Sequence, residues 1–196
     1  TEPVDVILDC AASFIHWTAR LGTTVELTRS GVPKYAKKDG PVFVADGGRI
    51  KKIETCLGTG ESYFRAMAQV GYTGLTGKRL VIFGSGKVGT GLLTYAKKNG
   101  AIAIVVTQPA SVSDRVRKLA EAIVNCTDIR AVVNAVSDAH AVVTATGIAG
   151  ALSHPDLVEA LIHSPALLAN MGVEDEFGAV LPCERVLEKK HTLNFI

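Results

Sequence analysis

The stretch from Leu80 to Pro109 reads LVIFGSGKVGTGLLTYAKKNGAIAIVVTQP. It contains an apolar run, a turn with three glycines, an amphipathic segment and a second apolar run, which predicts strand, helix and strand in succession. The turn has the G-x-G-x-x-G spacing of a loop that holds a dinucleotide pyrophosphate at a helix N-terminus. The candidate cofactor-binding residues of this loop are Gly84, Ser85, Gly86, Lys87, Val88 and Gly89.

The rest of the second part of the chain continues the alternation of apolar runs and helical patterns. Strands are predicted at 80–84, 101–107, 123–126, 140–146, 166–171 and 192–196, and helices at 87–99, 113–122, 128–136, 155–164 and 183–190. Near-continuous apolar strands separated by helices are typical of a parallel sheet covered on both faces. We therefore predict an α/β fold with a doubly wound parallel sheet of about six strands, the Rossmann-type dinucleotide-binding domain.

The first 72 residues show a different pattern. Strands are predicted at 4–10 and 41–46 and helices at 14–21 and 51–70, the last interrupted by Gly58 and Gly60. A turn-rich joint, YTGLTGK, begins at Tyr72 and precedes the first strand of the repeating pattern. We expect residues 1–72 to form an N-terminal α/β connector and residues 73–196 to form the Rossmann domain.

Composition narrows the classes of function. The net charge is +2 and the basic pairs are scattered, which does not favour binding to nucleic acid. The longest apolar runs are too short to span a membrane, and the start of the chain has no signal-peptide pattern. The four cysteines form no CxxC pair and the five histidines have no ligand spacing, so we expect reduced thiols, a cytoplasmic location and no metal site. Because the chain lacks an initial Met and stops on the apolar TLNFI, we expect it to be either a trimmed chain or a piece of a longer protein.

The residue that closes the second apolar run bears on the choice of dinucleotide. An acid at this position usually binds the adenine ribose hydroxyls of NAD and repels the 2′-phosphate of NADP. Here the residue is Gln108, which can bind a hydroxyl but does not repel a phosphate. Ser111, Ser113 and Arg115 follow as candidate phosphate donors, although Arg115 also fits a surface role on the next helix.

Several motifs together resemble the NAD-binding domain of the S-adenosylhomocysteine hydrolase family. The family's loop G-[YF]-G-x-V-G-x-G corresponds to residues 84–91, so Gly91 is the family's additional glycine. Its T-T-T-G corresponds to residues 144–147, its N-I-G-H to 170–173, and its helix motif N-D-S-V-T-K-x-K-F-D-N to 45–55. Less closely, VDVILDC resembles the family's ILDDGG strand, and Gly22-Thr23-Thr24 resembles its E-T-T-T-G.

The resemblance implies NAD as the cofactor, with NADP left open by Gln108. It also implies further cofactor-binding residues besides the glycine loop and Gln108. These are Thr144, Ala145, Thr146, Gly147, Asn170 and Gly172 in the second part of the chain, and Thr23, Thr24 and Thr55 before it. Glu174 and Asp175 follow Gly172 at the carboxyl end of the fifth predicted strand of the Rossmann domain, where we expect them to be solvated.

Departures from the family affect its catalytic positions. The family's redox-step lysine corresponds to Ile50, its aspartate to Glu54 and its fifth-strand histidine to Val173. The acidic pair of the ILDD strand has become Asp9-Cys10, and the family's large substrate domain and C-terminal extension are absent. Since loss of a group that handles a proton costs ~10²–10⁴-fold in rate, we do not expect this chain to hydrolyse S-adenosylhomocysteine. The remaining catalytic candidates are Glu54, Asp9 and Cys10.

Two classes of function remain open. The first is an NAD(P)-dependent oxidoreductase-type enzyme in which another segment brings the substrate. The second is a non-catalytic dinucleotide-binding module, a pseudoenzyme. Homo-oligomer formation is open in both classes.

Overall fold

The computed structural model describes residues 5–16, 23–36 and 40–178. The chain divides into two compact units, Thr1–Glu54 and Thr55–Ile196. The predicted helix at 183–190 and the sixth predicted strand at 192–196 lie outside the described residues. None of the helices in the described ranges has the length and apolar character needed to cross a membrane.

The second unit contains a five-stranded, all-parallel sheet, which confirms the predicted fold class. The strands are β4 Arg79–Phe83, β5 Ile102–Thr107, β6 Ala122–Asn125, β7 Ala141–Thr144 and β8 Leu167–Asn170. Their order in the sheet is β6-β5-β4-β7-β8, so the chain starts in the middle, winds to one edge and then returns to build the other. The winding direction reverses between β4 and β7, and such a reversal opens a crevice at the carboxyl ends of the strands.

Helices cover both faces of this sheet because the strand side chains are apolar on both sides. Leu80 and Ile82 of β4 pack into one core, whereas Val81 and Phe83 pack into the other. The first core is completed by α3 (Thr59–Gln69), α4 (Lys87–Lys98) and α5 (Asp114–Leu119). The second is completed by α6 (Ile129–Ser137) and α7 (Pro155–His163).

The helices of the second unit match the predicted ones in position, with shifted ends. The largest shift is at α5, which ends at Leu119, whereas the sequence pattern predicts a helix up to residue 122. Residues from Ala122 onward pair with β5 instead, and that pairing requires an extended backbone. Ser113 and Asp128 accept hydrogen bonds from the first turns of α5 and α6, so both helices begin at capping residues.

The helical segment before the joint is continuous across its glycines, contrary to the predicted interruption. It runs as α2 (Arg49–Ile53), a π-helical turn (Glu54–Gly58) and α3. Tyr63, Phe64 and Met67 of α3 are buried in the core of the second unit. The compact units divide between residues 54 and 55. Helix α3 therefore belongs to the second unit, where its apolar face packs with the sheet that follows.

Two glycines allow α3 to cross α4 closely. A Cβ on Gly60 would lie 2.6 Å from the carbonyl of Gly91, and a Cβ on Gly91 would overlap the carbonyl of Cys56. The two helix backbones thus touch without intervening side chains. Helix packing, rather than contact with a ligand, accounts for the additional glycine of the loop motif.

The first unit contains a three-stranded parallel sheet of order β1-β2-β3. Its strands are β1 Val6–Asp9, β2 Thr23–Glu26 and β3 Val42–Val44; a one-turn helix, α1 (Val32–Tyr35), lies between the last two. Strand β2 is not predicted by the sequence pattern. The pattern also predicts a helix at 14–21, but residues 11–16 form turns and residues 17–21 lie outside the described ranges.

We predict that Gly91→Ala destabilises the second unit by roughly 1–3 kcal/mol, because the new methyl forces the α3 and α4 backbones apart. The measurement is thermal and urea unfolding of the purified chain. Gly58→Ala is the matched control, since a Cβ on this helical glycine meets nothing within 4 Å. That variant should be as stable as the parent or more so, because alanine favours helix. Equal stability of both variants would contradict close packing at Gly91.

Candidate functional site

The loop between β4 and α4 brings three backbone segments close together. Gly84 has φ +102°, a conformation that favours glycine, and a Cβ on it would lie 2.5 Å from the carbonyl oxygen of Ala145. A Cβ on Gly89 would overlap the carbonyl of Gly84. By contrast, a Cβ on Gly86 would meet nothing within 4 Å, so the backbone there faces open space. The loop therefore combines two positions that need glycine for packing with one at which a ligand can approach.

Helix α4 starts directly after this loop. Gly86 is its N-cap, and no side chain of the described residues caps it. Thr90 in the first turn donates from Oγ1 to the carbonyl of Gly86 at 2.8 Å. The N–H groups of an uncapped first turn, together with the helix dipole, attract an anion such as a phosphate.

An open cleft of about 840 Å³ lies at the carboxyl ends of the strands. Its walls come from the loops after β4, β5, β6 and β7 and include Gly84, Ser85 and Gly86. Ser85 is tied to the end of β5 by a 3.0 Å hydrogen bond between its hydroxyl and that of Thr107. The volume is in the range of small-molecule and cofactor sites.

The cleft has a neutral lining. None of the described residues that line it is Asp, Glu, Lys or Arg. Gln108 lines it at the end of β5, and apolar side chains such as Val106, Ile129, Val132 and Leu157 form much of its wall. The apolar wall beside Gln108 suits a flat, uncharged aromatic group, and the Gln108 side chain can hydrogen-bond to hydroxyls.

The candidate phosphate donors after β5 fall into two groups. Ser111 lines the cleft, although its hydroxyl donates to the carbonyl of Gln108 at 2.8 Å. Ser113 caps α5, and Arg115 points to the hydroxyl of Thr94 at 3.5 Å. Ser113 and Arg115 therefore contribute to helix structure and do not line this cleft.

The ends of β7 and β8 are joined by a side-chain network. The Thr144 hydroxyl donates to Oδ1 of Asn170 at 2.9 Å, and Nδ2 of Asn170 donates to the carbonyl of Glu174 at 2.8 Å. Of the candidates on these two strands and in the loops that follow them, Ala145 and Thr146 line the cleft. Thr144 and Asn170 connect the ends of β7 and β8 and are not among the residues that line the cleft.

Glu176, the most deeply buried acid of this region, is not among the residues predicted from the sequence. Its side chain is fully buried. The carboxylate accepts hydrogen bonds from the backbone N–H and hydroxyl of Thr146 at 2.9 and 2.7 Å and from the N–H of Gly147 at 2.7 Å. A Cβ on Gly172 would overlap this carboxylate, so Gly172 provides the space for it. No sequence signal separates Glu176 from its neighbours Glu174 and Asp175.

In the first unit, Asp9 organises the loop that follows β1. It is 1% exposed and accepts hydrogen bonds from the N–H groups of Cys10 and Phe14 and from the Tyr35 hydroxyl. Burial alone would raise the pKa of Asp9, but these donors outweigh burial and hold its pKa below the usual value. Burial and the bond to Asp9 raise the pKa of Tyr35. Asp9 therefore stabilises its own loop through these hydrogen bonds, whereas Cys10 is exposed.

Glu26 at the end of β2 has a similar structural role. It is fully buried and accepts from the N–H groups of Ala11, Ala12 and Thr28 at 3.1, 2.9 and 2.7 Å. Ala11 and Ala12 both have positive φ, near +58° and +57°, which aims their N–H groups at the carboxylate. A Cβ on Gly31 would overlap this carboxylate. The paired turns explain why no helix starts in the described part of this loop, residues 10–16.

The remaining candidates are dispersed. Thr23 and Thr24 begin β2, at the opposite end of the strand from its carboxyl edge, and Thr24 is 2% exposed. Thr55 lies in the π-helical turn. Glu54, the first residue of this turn, pairs with Lys51 of α2 at 2.8 Å. Thr23 and Thr24 therefore lie away from the edge at which parallel sheets bind ligands.

The described residues contain no cluster of three or more histidine, cysteine or acidic side chains that could hold a metal ion. His154 lines the cleft, and its Nδ1 accepts from the N–H of Asp156 at 3.3 Å. His140 lies at the amino ends of the strands. Burial and the nearby charge of Lys78 lower the pKa of His140.

The parallel sheet, the glycine loop and the cleft define a dinucleotide-binding domain of the doubly wound class. The sequence profile described as "S-adenosyl-L-homocysteine hydrolase, NAD binding domain" matches residues 55–191, over two thirds of the chain. The chain belongs to this family, and its cofactor is NAD. A comparison with curated protein sequences returned no match.

Solved structures agree on the fold. One of the subunits of dipicolinate synthase from Bacillus halodurans superimposes with a TM-score of 0.63 at 11% identity, over 89% of this chain and 57% of that one. D-lactate dehydrogenase from Escherichia coli superimposes with a TM-score of 0.56 at 14% identity, over 94% of this chain and 63% of that one. Phosphoglycerate dehydrogenase from Lactobacillus plantarum superimposes with a TM-score of 0.55 at 17% identity, over 94% of this chain and 65% of that one. The chain thus spans less than two thirds of each of these proteins.

Proposed function

We propose that NAD lies across the cleft of the second unit with its pyrophosphate at the Gly84–Gly89 loop. The observation that carries this proposal is the open approach to the Gly86 backbone, beside an uncapped helix N-terminus. The other two glycines of the loop are closed off by protein backbone. A phosphate placed at Gly86 meets N–H donors and the positive end of the α4 dipole.

The two halves of the dinucleotide then fall on opposite sides of the loop. The adenine ribose lies near Gln108 at the end of β5, and the adenine contacts the apolar wall that includes Ile129 and Val132. The nicotinamide half lies toward Ala145 and Thr146 at the end of β7. This direction follows the general rule that each half of a doubly wound sheet binds one mononucleotide.

We predict that Gly86→Val lowers NAD affinity by several kcal/mol, because its two methyls occupy the space of the pyrophosphate. Calorimetric titration with NAD⁺ measures the effect, and circular dichroism checks the fold. Gly47→Val is the matched control in the first unit, where a Cβ likewise meets nothing within 4 Å. If Gly86→Val binds NAD⁺ as tightly as the parent, the cofactor lies elsewhere.

The domain serves an NAD(P)-dependent oxidoreductase-type enzyme in this proposal, with the substrate brought by a part of the protein outside the chain. Two observations instead favour a non-catalytic module. Ile50 and Val173, at positions where the family has a lysine and a histidine, are 84% and 72% exposed apolar side chains. Asp9 is already used to hold its own loop.

We predict that the purified chain does not hydrolyse S-adenosylhomocysteine. The proton-handling lysine is replaced by Ile50, and Glu54 forms a surface ion pair with Lys51. The measurement is homocysteine release with NAD⁺ present, against a heat-inactivated sample. Release above that control would contradict the prediction, and restoring Ile50→Lys alone should not create the activity.

We predict that the parent distinguishes NAD from NADP by less than about tenfold, equivalent to ~1.4 kcal/mol. With Gln108 in the neutral lining there is no carboxylate to repel a 2′-phosphate. A carboxylate would also bind the ribose hydroxyls of NAD with a charge-assisted bond worth roughly 1.5–3 kcal/mol. Gln108→Glu should therefore widen the preference toward NAD.

The dissociation constants of NAD⁺ and NADP⁺ for both proteins test this prediction. Ser113→Glu is a suitable control, because it places an acid on the same connection at a residue that caps α5 and does not line the cleft. That variant should keep the parent ratio. A parent that already excludes NADP⁺ a hundredfold would show that another residue reads the ribose.

A further inference from the structure

Glu176 is held rigidly between two loops at the edge of the cleft. The backbone around it pairs with the loop after β7: Gly150 donates to the carbonyl of Asp175 at 2.8 Å and Leu152 to that of Glu176 at 2.9 Å. Asp175 in turn accepts from the N–H of Gly178 through Oδ1 at 3.0 Å. The main chain therefore fixes where the Glu176 side chain begins.

The side chain of Glu176 reaches back under the loop that borders the cleft. Oε2 accepts from both donors of Thr146, and Oε1 accepts from the N–H of Gly147. Both oxygens thus act as acceptors only, which matches an ionised carboxylate. Gly172 leaves the space that this carboxylate fills.

This arrangement has two consequences for a ligand beside Thr146. The N–H and hydroxyl of Thr146, a residue of the cleft wall, are already used by the protein and so are held in one orientation. The Glu176 carboxylate also lies directly behind that wall, bonded to Thr146. The described residues that line the cleft carry no formal charge when His154 is neutral. Charges interact more strongly at such a partly dry site than in water.

We propose that Glu176 is a positioning residue for the nicotinamide half of NAD, acting through the loop Ala145–Gly147, and that its buried charge makes the site favour the oxidised cofactor. The oxidised nicotinamide ring is a cation and the reduced ring is neutral, so a nearby carboxylate stabilises the first selectively. This inference rests on the proposed placement of NAD across the cleft.

The test compares three probes in the parent and in Glu176→Gln: NAD⁺, NADH and ADP-ribose, which lacks nicotinamide. Glutamine keeps the size of the side chain but places an NH₂ group against one of the loop's donors and removes the charge. NAD⁺ affinity should fall about tenfold. The ratio of the NADH to the NAD⁺ dissociation constant should fall at least about threefold, and ADP-ribose affinity should stay unchanged.

Glu174→Gln is the matched control, two residues away on an exposed side chain, and should keep all three affinities. Thr146→Val removes one donor to Glu176 and leaves the charge in place. It should weaken NAD⁺ and NADH equally, which separates positioning from charge. Gly172→Ala displaces the carboxylate by overlap, and it replaces Glu176→Gln as the test if that variant does not fold.

The outcomes are distinct. Unchanged affinities in Glu176→Gln, or an equal loss for all three probes, would overturn the inference, because the carboxylate would then have no role or only a general structural one. An unchanged NADH to NAD⁺ ratio would overturn the electrostatic part. A parent that binds neither NAD⁺ nor ADP-ribose would instead contradict the proposed function.

Discussion

The contact of backbone against backbone at Gly84 is the constraint on which the cofactor cleft depends. Here the end of β4 passes the carbonyl of Ala145 with no room for a side chain, and the first turn of α4 lies equally close at Gly89. Because these three segments converge, the open Gly86 backbone lies at the point where the sheet reverses its winding. Any Cβ at Gly84 or Gly89 would separate the strand, helix and loop that form the cleft.

Buried carboxylates shape the loops at the carboxyl ends of both sheets. Asp9 and Glu26 in the first unit and Glu176 in the second are almost fully buried, and each accepts backbone N–H groups of neighbouring loops. Such groups cost several kcal/mol to bury without partners, so each acid holds its loop tightly. A buried acid at the end of a strand, such as Asp9, is therefore not by itself evidence of a catalytic base.

Individual helices and strands could be predicted where apolar residues recur with a helix or strand period and turn-forming residues mark the ends. The strands at Leu80 and Ile102 and the helix at Lys87 have such signals, and all three form close to the predicted bounds. The short strand Thr23–Glu26 and the turns after Asp9 could not be predicted in this way. The strand has too few residues for a periodic signal, and the turns depend on two carboxylates, one of which belongs to Glu26 on the next strand.

The sequence by itself was enough to establish the doubly wound sheet and the glycine loop, because both depend on the spacing of residues that are close along the chain. It also showed directly that the residue at the end of the second strand of that sheet is the neutral Gln108. The folded chain was needed to show which candidates line the cleft, that Gly91 serves helix packing, and that Glu176 lies buried beneath Thr146. These features depend on which segments meet across the fold. Side chains distant in sequence share one small volume there, and no pattern of neighbouring residues records that contact.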